Sequence, residues 1–171
     1  GIGYVSEDRK QEGLVLMHTV LENAGITVWR RLARRFGFLT DGMVRAKTEP
    51  FIKRLAVRTP SLGQLVGNLS GGNQQKISVA KWLAAGVKVL IVDEPSVGID
   101  IKTKAELHEL LRELSETGTA ILLITSDMPE MITLADRIVV MNAYRIEGEI
   151  TNTRDYRAMS EGIMNLIHRV E

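Results

Sequence analysis

The chain has 171 residues, of which 44% are hydrophobic and 25% are charged, and its formal net charge is +1. These values are ordinary for one globular unit, and the charge argues neither for nor against a nucleic-acid partner. The absence of cysteine excludes disulfides and thiolate metal sites. No apolar run approaches the roughly 20 residues that span a bilayer. Because the chain begins at Gly1, directly before a predicted strand, we expect it to be a fragment of a longer protein.

The first 67 residues predict one strand followed by helices. A short strand is expected over Ile2–Ser6 and a short helix over Thr19–Thr27. Asp41–Val57 has a helical pattern, which Pro50 is expected to kink or restart because proline lacks a backbone N–H. Residues Thr59–Gly67 contain proline and glycine and predict a loop.

An arginine-rich segment lies between the first two of these helices. Trp29, Leu32 and Phe36 recur at helical spacing, with four arginines among the remaining positions. The segment either contacts lipid headgroups or an acidic loop of a membrane partner, or forms a solvated helix face over a small core. The sequence leaves both interpretations open.

A helix is predicted over Gly71–Ala85, and its start is suited to an anion. Ser70 is a preferred N-cap residue, and Gly86 is a natural residue to follow the helix. The free N–H groups of the first turn carry partial positive charge. The glycines Gly71 and Gly72 would let a phosphate approach the backbone closely.

Two acidic residues end the next predicted strand. Val89–Asp93 is a short apolar run, which predicts a strand buried on both faces of a parallel sheet. Asp93 would lie at the carboxyl end of that strand, where open α/β sheets bind ligands. Glu94 is placed to orient or deprotonate a water, and Pro95 ends the strand.

The remaining elements follow the same logic. Asp100 is expected to cap a helix with one stripe of leucines that ends at Thr117-Gly118. The later predictions are a buried strand at Ala120–Ile124, a hairpin of strands Ile138–Met141 and Arg145–Ile150, and a terminal helix at Ser160–Val170.

Together these motifs resemble the ATP-binding subunits of ABC transporters. Leu69–Asn73 is similar to the signature motif, Val89–Asp93 to Walker B, Glu94 to the catalytic glutamate and Ser96–Asp100 to the D-loop. With Tyr4–Lys10 upstream, the longer run from Leu69 to Lys76 narrows the resemblance to the second nucleotide-binding domain of bacterial tandem importers for ribose, xylose or galactose.

The resemblance implies an α/β fold with a P-loop NTPase core, a mostly parallel sheet and an inserted helical subdomain, truncated at the N-terminus. Residues 1–171 would be a partial nucleotide-binding domain. Within it, residues 19–68 would form the helical subdomain, residues 1–18 and 69–150 the RecA-like core, and residues 151–171 a helical tail.

The resemblance also implies ATP and Mg²⁺ as cofactors and assigns the site. Asp93 would hold Mg²⁺, and Glu94 would be catalytic. The motif residues Ser70, Gly71, Gly72 and Asn73, with Gln74 and Gln75 after them, would bind the γ-phosphate of ATP held by the partner domain. Further contacts would come from Glu7, which occupies the place of the Q-loop glutamine, and from Asp100.

Three departures from the family pattern predict two unequal ATP sites. Glu7 replaces glutamine, although its segment could also be a plain charged loop. Asp127 replaces the switch histidine, and an ionised acid there would repel phosphate instead of donating to it. Val97 stands where relatives often have arginine. The site containing Asp93 and Glu94 is therefore expected to hydrolyse ATP weakly or not at all.

No Gly-x-x-x-x-Gly-Lys-Ser/Thr motif is present, so the isolated chain is expected to be inactive. The expected partners are the first nucleotide-binding domain of the same polypeptide or a second copy, transmembrane permease subunits and, indirectly, a periplasmic sugar-binding protein. Nucleic acid is not expected. The expected location is the cytoplasmic face of the bacterial inner membrane. A soluble non-transport ABC ATPase and a catalytically silent structural domain are the alternatives.

Overall fold

The computed structural model describes residues 1–33 and 37–168. By internal packing the chain divides into two compact units, residues 1–124 and 125–171. The first unit contains β1 (Ile2–Val5), α1 (Val20–Gly25), α2 (Trp29–Leu32), α3 (Asp41–Arg54), α4 (Gly71–Ala85), β2 (Val89–Asp93), α5 (Ile101–Glu116) and β3 (Ala120–Ile124). The second contains α6 (Met128–Leu134), β4 (Arg137–Asn142), β5 (Arg145–Thr151) and α7 (Tyr156–Ile167). The predicted subdomain boundaries stay a prediction.

The first unit is built on a three-stranded parallel sheet in the order β1-β2-β3, which confirms the predicted parallel α/β class. Helix α4 packs against β1, and α5 packs against β3. Val5, Leu90 and Val92 are fully buried and form the covered face. No helix in the described part of the chain is long and apolar enough to cross a membrane.

The prediction that β2 and β3 are buried on both faces is wrong. Side chains that alternate onto the other face remain accessible: Ile91 in β2 is partly exposed, and Leu122 in β3 is 54% exposed. Apolar runs indicate strands that can be covered on both sides, but within residues 1–33 and 37–124 part of this second face remains accessible.

The predictions for α4 and α5 are confirmed. Ser70 caps α4 in extended backbone, and Gly86 follows the helix in the left-handed region with φ of 66°. Asp100 caps α5 through its side chain, which accepts the N–H of Thr103. The buried stripe of α5 consists of the predicted leucines, Leu107, Leu110, Leu111 and Leu114.

Helix α3 runs through Pro50 without a restart and ends at Arg54, three residues before the predicted end. Pro50 and Ala46, whose carbonyl loses its partner, are both exposed, so water can satisfy that carbonyl. The helix ends in a Schellman motif: Ala56 has φ of 46°, and the N–H of Val57 donates to the Ile52 carbonyl.

Of the arginine-rich segment, the structure describes α2 and its immediate neighbours, while Arg34, Arg35 and Phe36 lie outside the described residues. Arg31 Nη1 donates to the carbonyl of Ala85 at the end of α4, at 2.7 Å. This arginine therefore supports the last turn of α4, as cations near a helix C-terminus do. The contact favours the interpretation of the segment as a solvated helix face over a small core, and none of the α2 residues is buried.

Three short segments were not predicted. Arg9–Gly13 forms a π-helical turn capped by Asp8, α6 follows residue 127, and a 3₁₀ turn at Val66–Asn68 interrupts the predicted loop before α4. Each is a single turn or two, too short for hydrophobic periodicity to register.

The second unit packs α6 and α7 on the antiparallel hairpin β4-β5. The hairpin is confirmed, with residues Ala143 and Tyr144 at its turn, both with positive φ. Helix α7 begins four residues before the predicted start and ends at Ile167; Val170 lies outside the described residues. The core of the unit is Ile132, Ile138, Val140, Met159 and Ile163.

Candidate functional site

The start of α4 is organised by Ser70 and Asn73. Ser70 Oγ accepts from the backbone N–H of Asn73 at 3.5 Å and from its side-chain Nδ2 at 2.9 Å. The other end of the same amide, Oδ1, accepts the backbone N–H of Arg58 at 2.7 Å. Asn73 thus joins the serine hydroxyl to the segment that precedes the motif.

The start of α5 lies directly against the start of α4. A Cβ on Gly72 would lie 2.4 Å from Thr103 Cγ2, and a Cβ on Gly71 would lie 3.1 Å from the Gly98 carbonyl oxygen. Both glycines are therefore required by close packing between two helix starts. Asp100 holds the first turn of α5, because its carboxylate accepts from the N–H and the hydroxyl of Thr103 at 3.0 and 2.7 Å.

The two helix starts enclose a surface pocket of about 170 Å³. It is lined by Arg58, Ser70, Gly72, Asn73, Lys76, Asp100, Lys102, Thr103 and Glu106. Lys76 pairs with Glu106 at 2.7 Å and lowers the pKa of that carboxyl; hydrogen bonds from Thr103 lower the pKa of Asp100. Three cations and two partially positive helix ends outweigh two carboxylates, so the pocket suits an anion.

Gln74 and Gln75 point away from this pocket into the protein, and both are buried. Gln74 Nε2 donates to the carbonyls of Val66 and Leu69 at 3.1 and 3.2 Å, which fixes the turn leading to Ser70. Their contact with nucleotide stays a prediction. To make it, Gln74 would have to leave these two carbonyls.

A different arrangement stands at the carboxyl end of β2. Asp93 Oδ2 accepts a hydrogen bond from the Tyr4 hydroxyl on the neighbouring strand, at 2.7 Å. This bond to an anion raises the pKa of Tyr4. Glu94 has φ of 40°, which is unfavourable for a residue with a side chain, while its N–H continues the sheet by donating to Ile124. Neither acid lines the pocket described above.

The acids at the end of β2 could supply only one or two of the ligands that Mg²⁺ requires. Among the described residues there is no group of three or more His, Cys, Asp or Glu side chains that could hold a metal. Mg²⁺ commonly takes one or two carboxylates and completes its shell with water and phosphate oxygens. Asp93, with one oxygen engaged by Tyr4, suits that mode.

Asp127 belongs to the second unit and caps α6 there. Its Oδ1 accepts the backbone N–H of Glu130 at 2.8 Å, and its own N–H donates to Thr125 Oγ1 at 3.1 Å. The carboxylate therefore has a structural task that histidine would perform poorly. Glu7 is exposed directly after β1. The contact of Glu7 with nucleotide and the catalytic role of Asp127 stay predictions.

Sequence reasoning missed Arg9, which is buried beside the two helix starts and contacts the backbone of the 96–100 loop. The signal was weak: one arginine in a charged run that predicts a solvated loop. Tyr4 was missed as well, because a tyrosine in a strand predicts packing and not a bond to Asp93.

The fold and the pocket define a parallel α/β protein in which two helix starts meet at a small pocket and a neighbouring strand ends in two acids. The family model described as ABC transporter matches residues 1–97, and the chain belongs to that family. Over 88% of this chain and 62% of the other, the structure is similar to the dimeric post-hydrolysis ATP-binding cassette MJ0796 bound to ADP and Pi. The TM-score is 0.72 at 24% identity, which shows the fold alone.

Curated relatives match nearly the whole chain. A ribose import ATP-binding protein RbsA of Rhodopirellula baltica is 46% identical over 94% of this chain and 30% of its own length. A putative ribose/galactose/methyl galactoside import ATP-binding protein of Rhizobium etli is 44% identical over 97% of this chain and 31% of its own length. This chain thus spans about a third of the relatives that it matches.

Proposed function

We propose that this chain is part of the ATP-hydrolysing, energy-coupling subunit of a bacterial monosaccharide ABC importer. The names of its relatives support sugar import, and the pocket supports nucleotide chemistry. The observation that carries the proposal is the meeting of the α4 and α5 starts at Gly72 and Thr103, which places two partially positive helix starts beside one small pocket.

The pocket's role is to complete an ATP site held mainly by another domain. The chain has no Gly-rich lysine loop of its own, so the phosphate that the pocket binds comes from outside. Two apolar side chains in and next to the 96–100 loop are exposed: Val97 is 47% exposed and Ile101 is 89% exposed. Such residues beside a charged pocket suit contact with a second nucleotide-binding domain.

The acids at the end of β2 serve the other ATP site. Asp93 would hold Mg²⁺, which neutralises phosphate charge when bound. Glu94 would orient or deprotonate the attacking water, held by a strained backbone. Strain at such a position is typical of functional residues, since the surrounding structure must enforce it.

The two ATP sites are unequal. Asp127 is engaged as the cap of α6, Glu7 stands in the place of glutamine, and Val97 stands in the place of arginine. The site completed by Ser70, Gly71 and Gly72 therefore performs most of the turnover. Gln74 supports this site by fixing the turn before it.

The partners follow from the same assignment. They are the first nucleotide-binding domain of the polypeptide or a second copy, permease subunits in the membrane, and a periplasmic sugar-binding protein that acts through the permease. The subunit is peripheral, on the cytoplasmic face of the bacterial inner membrane.

The test is ATP hydrolysis by the full-length protein assembled with its permease. Ser70→Ala is expected to lower the rate strongly, and Glu94→Gln to lower it little, because the second site contributes little turnover. Ser61→Ala and Glu116→Gln, both at exposed positions, are the matched controls.

Loss of hydrolysis in Glu94→Gln with normal hydrolysis in Ser70→Ala would overturn the assignment of the sites. Co-purification with nucleic acid in place of a permease would indicate a non-transport ABC ATPase. Tight ATP binding by the 171-residue chain alone would contradict the role in trans.

A further inference from the structure

Arg9 is a buried cation whose contacts are backbone carbonyls. It is 8% exposed. Nη1 donates to the Val97 carbonyl at 2.9 Å, and Nη2 donates to the Gly98 carbonyl at 3.2 Å. Burial lowers its pKa, and its Nε has no hydrogen-bond partner among the described residues. Burying a guanidinium in this way is costly, so the position calls for an explanation beyond general packing.

The same guanidinium touches the start of α4. A Cβ on Gly71 would lie 2.7 Å from Arg9 Nη2, and a Cβ on Gly98 would lie 3.5 Å from that nitrogen. Arg9 therefore occupies the space between the motif glycine and the 96–100 loop. It contacts the 96–100 loop and lies against the first residue of α4, the two segments that meet at the pocket.

The segment that carries Arg9 is itself held firmly. The Asp8 side chain caps the π-helical turn Arg9–Gly13 by accepting from the N–H groups of Lys10 and Gln11, at 3.1 Å each. At the other end of the turn, Lys81 Nζ donates to the Gly13 carbonyl. Because the turn is fixed along α4 in this way, Arg9 projects from a rigid base.

We propose that Arg9 is a positioning residue that locks the start of α4 and the 96–100 loop into one unit, and so sets the geometry with which Ser70 and Gly71 meet the phosphate of a partner's ATP. Only the effect on catalysis rests on the proposed function. The contacts by which Arg9 holds Gly71 and the 96–100 loop together, which we call the lock, lie within this chain. The planar guanidinium of arginine can donate from two nitrogens to two neighbouring carbonyls at once, whereas the ammonium group of lysine cannot hold both in a fixed geometry.

The lock is tested in the 171-residue chain by a double-mutant cycle in urea. Gly71→Ala should destabilise the wild-type chain, because its new methyl group meets Arg9. In the Arg9→Ala background the penalty should be at least halved. Gly72→Ala is the matched control: its methyl group meets Thr103, so its penalty should be the same with and without Arg9. An additive cycle for Arg9 and Gly71 would overturn the lock.

Hydrogen exchange provides a readout that does not need Gly71→Ala to fold. Arg9→Lys and Arg9→Ala should speed amide exchange in residues 71–73 and 97–101 at least tenfold, while the core of β2 keeps its protection. Arg31→Ala is the control, since Arg31 also donates to a carbonyl of α4 but at its opposite end. Unchanged exchange near Gly71 in Arg9→Ala, or equal acceleration in Arg31→Ala, would contradict the proposal.

The catalytic consequence is measured in the full-length protein. Arg9→Ala should lower kcat for ATP hydrolysis about tenfold or more, because small displacements of positioning groups carry such costs. KM should stay within about twofold, since the partner domain supplies most of the ATP contacts. A decrease with Ser70→Ala but none with Arg9→Ala would overturn the inference alone. No decrease with Ser70→Ala would overturn the proposed function, while the chain's double-mutant cycle still decides the lock.

Discussion

The pocket between α4 and α5 and the acidic end of β2 are two nucleotide-type sites built in opposite ways. In the pocket, small residues allow two helix starts to touch, and Ser70 and Asp100 cap their helices in extended backbone. At the end of β2, Glu94 is held in a left-handed conformation and Asp93 is bound by a tyrosine. The pocket is shaped by close packing, whereas at the end of β2 the surrounding structure holds Glu94 in a backbone conformation that it would not adopt by itself.

The difference shows which half of the site this chain completes by itself. Capped helix starts are stable without a ligand, so the pocket exists in the free chain. The end of β2 borders the open face of the sheet, and its acids suit a metal whose other ligands come from elsewhere. The chain therefore presents one finished surface and one partial site.

The largest expected effect is from Gly72→Ala. Its methyl group would lie 2.4 Å from Thr103 Cγ2, and separating the helix starts should lower the free energy of unfolding by about 2–3 kcal/mol, measured by urea denaturation. Gly42→Ala in α3 is the control: its nearest contact is at 4.0 Å, so it should gain about 0.5–1 kcal/mol. If the two substitutions have similar effects, the helix starts are not closely packed.

A smaller effect of opposite sign is expected from Glu94→Gly. Glycine accepts φ of 40° without a side-chain clash, so the free energy of unfolding should rise by about 1 kcal/mol. Glu94→Ala keeps the backbone strain and should gain little. An equal gain from both variants in urea denaturation would mean that the carboxylate, and not the backbone, is the source of instability.

The bond between Tyr4 and Asp93 predicts a shifted titration. Because the neutral phenol donates to a carboxylate, ionising it is unfavourable, and the pKa of Tyr4 lies above its usual 10.0. Ultraviolet titration should show one tyrosine with a raised pKa, and Asp93→Asn should return it towards 10.0. A shift that survives Asp93→Asn would contradict the assigned partner.

The smallest effect concerns acid stability. Lys76 lowers the pKa of Glu106 from its usual 4.5, so its contribution to stability is present above pH 4.5 and is lost as pH falls through the folded-state pKa. Glu106→Gln should therefore reduce the loss of stability below pH 4.5, measured by thermal unfolding across pH. Glu147→Gln, which lies outside the pocket lining, is the control, and equal slopes in all three proteins would contradict the ion pair's role.

Much of the fold could be predicted because its signals are local. The cap, length and terminal glycine of α4 follow from Ser70 and Gly86, and the leucine stripe of α5 follows its helical period. The end of α3 could not be predicted in the same way, since a Schellman motif at Ala56 uses a residue with no special turn preference. The π-helical turn at Arg9–Gly13 likewise depends on its contacts with α4.

The site was predictable in its parts. Serine, paired glycines and two acids after an apolar run each indicate a chemistry, but their spacing along the chain does not state which of them meet. Ser70, Gly72, Asn73 and Asp100 line one pocket, whereas Gln74 turns inward. The Gln74 side chain points inward because of its place on the helix and because the 66–69 segment lies beside it. The place on the helix could be predicted from the sequence, whereas the position of the 66–69 segment required the structure.

The sequence by itself determined the starts of α4 and α5 and the parallel α/β class, because capping, hydrophobic period and turn chemistry act over a few residues. Only the tertiary structure decided that α4 and α5 start against each other, that Arg9 lies between Gly71 and the 96–100 loop, and that one sheet face is partly accessible within the described residues of the first unit. These are contacts between residues up to about ninety positions apart, and no local preference encodes which distant backbone a side chain meets.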